Sequence, residues 1–188
     1  MTTFRVLIVV ALQTLALAYM IFDRQTMLNS SRVVTLKVIP VDPRDIFRGD
    51  YVVLSYEISR LDMTKIDGED KFASGDTAYV TLQNQGEEWK AVAISHKPMA
   101  SVPGGVAMKA TVQYADAPSE DTTAVAPLMV TLTYGIESYF VPQGTGRAIE
   151  VEATEGKLSA DIAVDPSGRA AIKALRRQGK VFYVEGVF

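Results

Sequence analysis

An uncharged apolar run near the N-terminus constrains this chain more than any other feature of its sequence. The run VLIVVALQTLALAYMIF occupies positions 6–22, and only Gln13 and Thr14 interrupt it with clearly polar side chains. As an α-helix it would extend about 25 Å, slightly less than a hydrocarbon core of about 30 Å. A helix that is apolar all round has no face to present to water, so we predict that this segment spans a membrane.

Processing and orientation of this segment stay open at the level of sequence. Residues 16–18 have the A-x-A form of a signal-peptidase site, and Arg5 supplies a minimal positive n-region. Cleavage after Ala18 would leave an apolar N-terminus, which favours an uncleaved anchor. Flanking charge is ambiguous and leans slightly against an exported domain, because Arg5 and the amino terminus lie on one side of the segment while Arg24, Arg32 and Lys37 lie close to the other.

Beyond the anchor the sequence changes to short apolar runs with a period of two, a pattern typical of strands. We therefore predict a transmembrane anchor over 1–23, a tether over 24–32 and one exported β-rich domain over 33–188. Residues 144–154 fit either a short helix or a strand. The candidate strands are 33–41, 51–58, 77–83, 89–95, 106–114, 128–141, 157–165 and 180–188.

One segment of the domain, residues 169–178, predicts a short helix between the last two strands. Its apolar side chains cluster on one helical face, and its basic side chains fall within an arc of about 100° beside that face. The basic face is either solvated or in contact with anionic head groups. The predicted fold class is thus mainly β, or α+β, with an N-terminal transmembrane helix and an antiparallel-sheet-rich domain. The basic residues are Arg169, Lys173, Arg176 and Arg177.

Composition excludes several classes of function. The chain has no cysteine, and its one histidine is His96, so cysteine-bound metals, thiolate nucleophiles and sites that need two histidines are absent. A net charge of −3 argues against broad binding of nucleic acid. The acidic cluster Asp42, Asp45 and Asp50 matches no EF-hand spacing and alternates with arginines. We predict no metal, no cofactor and no catalytic residues, and a non-enzymatic role is favoured over an enzymatic one.

The stretch DIFRGDYVVLSY, residues 45–56, sets a Gly-Asp pair directly before a candidate strand. Glycine allows positive φ and aspartate accepts hydrogen bonds from nearby amides, so Gly49 and Asp50 fit an ordinary entry into a strand. A second Gly-Asp pair precedes the candidate strand 77–83 in the same way. This repetition favours a structural role for the pair.

Within this stretch, strand alternation separates the two tyrosines. Leu54 and Tyr56 share one face, and Tyr51 lies on the other. The structural interpretation packs Leu54 and Tyr56 in a core. The competing hypothesis is a ligand-facing edge formed by Arg48, Asp50 and Tyr51.

The segment YGIESYFVPQGTGR raises the same choice between structure and binding. As one strand that bends at its first glycine, it would place Tyr134 on one face and Glu137 and Tyr139 on the other. Its later glycines are not followed by lysine, which excludes a phosphate loop and predicts a flexible loop near Arg147. Glu137 is expected to approach an arginine of the segment 44–48 across the strands.

Residues 49–56, GDYVVLSY, fit without departure the eight-residue signature of the GDYXXLXY family of bacterial membrane-anchored proteins, which this chain resembles. The segments VDPRDIFRGDY, YGIESYFVPQGTGRAIE and AVDPSGRAAIKAL also look like recurrent segments of that family. The resemblance implies an anchor in the cytoplasmic membrane with the N-terminus inside, an extracytoplasmic domain and association with a multi-spanning membrane protein. It implies no established activity.

Three functions follow as hypotheses. The first is a non-enzymatic accessory or interaction domain at the outer face of the cytoplasmic membrane. The second is a carboxylate-based envelope hydrolase, which would need Asp50 and Glu137 to converge with Tyr51 on one cleft at roughly 5–10 Å. The third is a domain that binds a small ligand or a lipid in a cavity.

Overall fold

A long N-terminal helix and a strand-rich domain form the described part of the chain, which confirms the predicted fold class. The computed structural model describes residues 2–29, 32–39, 51–69, 71–99, 102–116, 128–140, 149 and 155–184. The elements are α1 Thr2–Leu28, β1 Val33–Ile39, β2 Tyr51–Val53, β3 Ser55–Tyr56, β4 Arg60–Asp62, β5 Asp67–Gly68, β6 Thr77–Asn84, β7 Trp89–Ser95, β8 Val106–Ala115, β9 Met129–Thr133, β10 Ser138–Phe140, β11 Leu158–Val164, β12 Ala170–Arg177 and β13 Lys180–Val184.

Two large sheets pack around one core. The first has the strand order β13-β12-β11-β1-β3, and the second has the order β4-β9-β8-β6-β7-β5. Strands β10 and β2 form a separate pair, and among the strands that the structure describes only the β5–β7 pairing is parallel. Apolar side chains from both large sheets meet in one cluster, which includes Val34, Leu36, Leu82, Met108, Leu132, Ile162 and Leu175. Burial of alternate side chains explains why a period of two predicted these strands.

Helix α1 is exposed along most of its length and meets the domain only near its end. The large apolar side chains from Phe4 to Phe22 are exposed. Met27 and Leu28 are buried in a small cluster with Ala171 of β12. The helix continues to Leu28, so the first part of the predicted tether is helical and positions the domain directly on the helix end.

The predicted helix over 169–178 is wrong, because this segment forms strand β12. β12 pairs with β11 on one side and β13 on the other. A register shift opposite Asp161 and Ile162 leaves Lys173 as an extra residue, since Ala174 pairs with Asp161 and Ile172 with Ile162. The two residues before Lys173 and the two after it are buried, while Lys173 is partly exposed. This bulge breaks the period of two, so the apolar residues of β12 have a spacing similar to that of a helical face.

The predicted basic face is lost together with that helix. Arg169 precedes β12 near the end of α1, whereas Arg176 and Arg177 lie at the far end of the strand, roughly 23 Å away at about 3.3 Å per residue. Arg176 donates through Nε to Asp161, a buried residue of β11, at 2.8 Å. Of these three arginines, only Arg169 lies at the helix end.

Two predicted strands are interrupted in the structure. The segment 51–58 divides at Leu54 into β2, which pairs with β10, and β3, which pairs with β1. The segment 128–141 divides around Gly135, whose φ is +77°, into β9 and β10 in different sheets. The hairpin predicted over 77–95 is confirmed by the antiparallel pairing of β6 and β7. Of residues 144–154, only Ile149 lies among the described residues, where it is helical and buried.

Candidate functional site

The second half of the GDYVVLSY stretch lies in the core between the sheets. Leu54 and Tyr56 are almost completely buried. The Leu54 N–H donates to the backbone oxygen of Glu137 at 2.7 Å. The Tyr56 hydroxyl donates to the backbone oxygen of Ile136 at 2.8 Å. This stretch is therefore fixed to the segment that follows β9, and its side chains serve packing.

Tyr134 makes the reciprocal contact from the other segment. Its hydroxyl donates to the backbone oxygen of Ile58 at 2.7 Å. Tyr56 thus contacts the carbonyl two residues beyond Tyr134, and Tyr134 contacts the carbonyl two residues beyond Tyr56. We call this pair the core tie. Burial raises the pKa of both hydroxyls well above the ordinary value, with the Glu137 carboxylate adding to the effect. Both tyrosines are consequently neutral hydrogen-bond donors.

Glu137 and Tyr139 lie beyond the turn at Gly135. Oε1 of Glu137 accepts a hydrogen bond from the Tyr134 N–H at 2.6 Å, so its carboxylate closes the turn. Tyr139 is buried and contacts the ring of Tyr183 edge-on at 5.6 Å. The prediction of one strand with Tyr134 and Tyr139 on opposite faces is wrong, because the turn at Gly135 divides the segment, and both side chains are buried.

The first half of the motif lies mostly outside the described residues, which exclude Arg48, Gly49 and Asp50. Arg147 and the arginine expected to approach Glu137 are outside them as well. The backbone of Tyr51 pairs with Phe140 in the β2–β10 ladder. The ligand-facing edge formed by Arg48, Asp50 and Tyr51 therefore stays a prediction.

The second Gly-Asp pair shows how such a pair enters a strand. Gly75 has a φ of +91°. Oδ2 of Asp76 accepts a hydrogen bond from the Ala73 N–H at 2.8 Å, and the Asp76 N–H donates to the Ala73 oxygen at 3.1 Å. The pair closes a turn before β6, which is the structural role that the repetition favours.

A cleft of about 570 Å³ opens between the end of α1 and the domain. It brings together Tyr134 and Glu137 from the candidate residues, and we call it the juxtahelical cleft. Its walls mix basic, acidic and hydroxyl side chains. The lining residues are Arg24, Met27, Lys109, Ala110, Thr111, Thr133, Tyr134, Gly135, Glu137, Arg169 and Ala170.

A bridging arginine fixes the geometry of this cleft. Both Nη atoms of Arg169 donate to the Asp23 carboxylate of α1 at 3.0 Å, and its Nε donates to Asp165 at 2.7 Å. Desolvation would raise the pKa of Asp165, but hydrogen bonds from Ser167 and Arg169 outweigh it and lower that pKa. The arginine therefore joins the helix to the turn between β11 and β12.

The turn itself is held against the other sheet. The Lys109 N–H of β8 donates to the Gly168 oxygen at 2.7 Å. Gly168 has a φ of +87°, and a Cβ there would lie 3.1 Å from the Lys109 nitrogen. Only glycine combines this backbone conformation with so close an approach. The end of α1, the β11–β12 turn and β8 thus form one connected base.

The comparisons with known proteins complete this description. The family model described as "GDYXXLXY protein" matches residues 13–175, which is most of the chain. The chain belongs to the GDYXXLXY family. A search of curated proteins and a search of solved structures each found no match. In this GDYXXLXY protein, the Leu54 and Tyr56 positions of the family motif are core positions.

Sequence reasoning missed a second cluster of the GDYXXLXY protein, centred on His96. Its Nδ1 contacts the Glu69 carboxylate, its Nε2 lies 3.6 Å from Oδ2 of Asp76, and its ring stacks on Phe72 at 4.4 Å. The Glu69 hydrogen bond raises the pKa of His96 against the opposing effect of desolvation, and Asp76 adds to the rise. We call this cluster the surface tie. Among the described residues, no group of histidine and carboxylate side chains could hold a metal ion.

Proposed function

We propose that this GDYXXLXY protein is a single-pass membrane protein whose domain lies at the outer face of the cytoplasmic membrane. There it acts through contact with a multi-spanning membrane protein, without catalysis. The observation that carries the proposal is the exposed apolar surface of α1. The helix offers a candidate span over Phe4–Leu28, with a mean hydropathy of 2.1 and none of its most apolar window buried in the chain.

An apolar surface of this length needs a non-aqueous environment. Monomeric soluble proteins seldom expose a contiguous apolar patch larger than about 300–600 Å². A helix of 25 residues extends roughly 37 Å, enough to cross a hydrocarbon core of about 30 Å. Thr14, a polar interruption of this run, donates to the backbone oxygen of Val10 at 2.9 Å and so meets its needs within the helix.

The base of the domain supports a position close to the membrane. Asp23, Met27 and Leu28 all contact the domain within the last two turns of α1. A domain held in this way has little freedom to move away from the bilayer surface. The orientation with the N-terminus inside is taken from the family resemblance.

The candidate residues that the structure describes are used within the chain, which favours a non-enzymatic role. Both hydroxyls of the core tie are buried donors to backbone carbonyls, and Glu137 closes its own turn. The hydrolase hypothesis needs Asp50 beside Glu137, and Asp50 lies outside the described residues. That hypothesis therefore stays a prediction, and the juxtahelical cleft is the place where it would have to act.

Two measurements test the proposal. Alkaline carbonate extraction of membranes from cells that naturally make the protein should leave the full chain in the membrane fraction. Leu15→Arg should shift it towards the soluble fraction, whereas Leu15→Ile should not, because a charge at mid-span is costly in hydrocarbon. After crosslinking in cells and solubilisation in mild detergent, a multi-spanning protein should accompany it. Release by carbonate, or recovery of the protein alone, contradicts the proposal.

A further inference from the structure

Gln13 lies in the middle of the apolar run, and its side-chain amide is a polar group at that depth. Its neighbour Thr14 bonds to Val10, but the exposed Gln13 side chain has no hydrogen-bond partner in the part of the chain that the structure describes. In water such an amide is solvated. At mid-bilayer depth its donors and acceptor lose water, so a partner helix is the available source of hydrogen bonds.

The direction in which Gln13 points is set by helical geometry. At about 100° per residue, Met20 lies roughly 20° to one side of Gln13 and Arg24 roughly 20° to the other. Arg24 lines the juxtahelical cleft together with Met27. Arg24 lies eleven residues beyond Gln13, which is roughly 16 Å along the axis. One continuous surface therefore leads from mid-bilayer to the cleft.

The same geometry argues against a second copy of this chain as the partner. Met27 and Leu28, buried under the domain, lie roughly 40° and 60° on either side of the Gln13 direction. The domain thus overhangs the face that carries Gln13. A parallel second copy on this face would need to place its own domain in the same volume. A helix that ends at the membrane surface, beneath the domain, fits without that conflict.

We propose that Gln13, Met20 and the juxtahelical cleft form one docking surface for a transmembrane helix of a different protein. That helix presents a hydrogen-bonding side chain to Gln13 at mid-bilayer depth, and its adjoining loop enters the cleft. The loop meets Lys109 and Glu137, charges of both signs, while Arg169 is already held by two carboxylates. This inference rests on the proposed membrane insertion and identifies the surface through which contact occurs.

Site-specific photo-crosslinking in cells that naturally make the protein tests the surface. A photoreactive amino acid is placed in the full chain at Met20, at Thr111 in the cleft, or at Phe22. Phe22 lies near the depth of Met20 but roughly 160° away around the helix, so it is the matched control. We expect the same integral membrane protein to be joined from Met20 and Thr111, with little adduct from Phe22. Equal labelling from Phe22, or an adduct with a second copy, overturns the proposal.

Substitutions at Gln13 then test the hydrogen bond itself. Gln13→Leu should weaken the Met20 adduct about threefold to thirtyfold, the range expected for loss of one interhelical hydrogen bond. Gln13→Asn should retain most of it, and Thr14→Val, which removes a hydroxyl bonded within α1, should leave it unchanged. If Gln13→Leu leaves both adducts and the co-purified partner intact, the hydrogen bond proposed for Gln13 is wrong while the proposed function stands. If carbonate extracts the unmodified protein from the membrane, the proposed function is wrong as well.

Discussion

The core tie and the surface tie both join segments that are distant in sequence, but they use opposite chemistry. In the core tie, Tyr56 and Tyr134 are buried, neutral and bonded to backbone carbonyls. In the surface tie, the titratable groups of His96, Glu69 and Asp76 meet in contact with water. An unmade hydrogen bond is costly where water is absent and cheap where water can replace it. The core tie should therefore contribute more to the free energy of unfolding than the surface tie, and only the contribution of the surface tie should depend on pH near neutrality.

The largest effect is expected from removing volume beside the core tie. Leu54→Ala should lower the free energy of unfolding by about 2–5 kcal/mol, because it leaves a cavity between the sheets. The adjacent Val53 is half exposed, so Val53→Ala should change it by less than about 0.5 kcal/mol. Urea unfolding of the full chain in detergent micelles, followed through the single tryptophan Trp89, measures both. Equal effects would contradict the placement of the motif in the core.

The hydroxyls of the core tie should follow in magnitude. Tyr56→Phe and Tyr134→Phe each leave a buried carbonyl without its donor, at a cost of about 1–3 kcal/mol. Because burial raises both pKa values well above the ordinary value, these losses should not vary with pH near neutrality. Tyr114→Phe, on an exposed side chain, is the control. A tyrosine effect that varies across neutral pH would show that a hydroxyl is not the buried neutral donor described here.

Arg169 is intermediate in burial between the residues of the core tie and a fully exposed side chain. It joins two elements but remains half exposed. Arg169→Gln should change the stability of the domain little, because exposed ion pairs contribute little in water. It should instead loosen the domain on α1. Spin labels at Phe22→Cys and Glu87→Cys, in a chain free of cysteine, should show a broader distance distribution. Lys71→Gln is the control, and an unchanged distribution would mean that packing of Met27 and Leu28 alone holds the helix.

The smallest effect is expected from the surface tie, and it should depend on pH. A folded pKa of His96 above its unfolded value of about 6.5 means that its contribution is complete below that pH and is lost as pH rises through the folded pKa. The His96 contacts lower the pKa of Glu69, so the Glu69 contribution is lost as pH falls through its own folded pKa. The tie should therefore be complete between the unfolded pKa values of Glu69 and His96, about 4.3 and 6.5, and weaken as pH passes outside that range towards either folded value.

Nuclear magnetic resonance can follow this titration directly, because the chain has one histidine. The His96 ring should titrate above about 6.5 in the folded chain. Glu69→Gln should bring the pKa down towards that value, and the distant Glu88→Gln should not. A His96 pKa at or below the ordinary value would contradict the contact between His96 and Glu69.

Local patterns predicted much of this fold, and non-local pairing explains what they missed. The hairpin of β6 and β7 was predicted because each strand alternates and a short turn joins them. The segment of β12 was mistaken for a helix because the bulge at Lys173 breaks its alternation. Tyr139 is buried because the turn at Gly135 changes the phase between β9 and β10.

The candidate site divides in the same way. The motif identified the family and the core residues Leu54 and Tyr56, since both follow from alternation within one short segment. The surface tie left no local signal, because Glu69 and His96 are separated by 27 residues and meet only through the pairing of β5 with β7. The juxtahelical cleft was hidden for the same reason, since its walls come from α1, β8 and the β11–β12 turn.

We propose that α1 spans the membrane and places the domain at its outer face. In the cysteine-free chain, Glu87→Cys on the exposed β6–β7 turn and Thr3→Cys near the N-terminus report the two sides. A membrane-impermeant maleimide should label Glu87→Cys in intact spheroplasts and should label Thr3→Cys only after the membrane is permeabilised. Labelling of Thr3→Cys alone in intact spheroplasts, or of neither variant before permeabilisation, would contradict the claim.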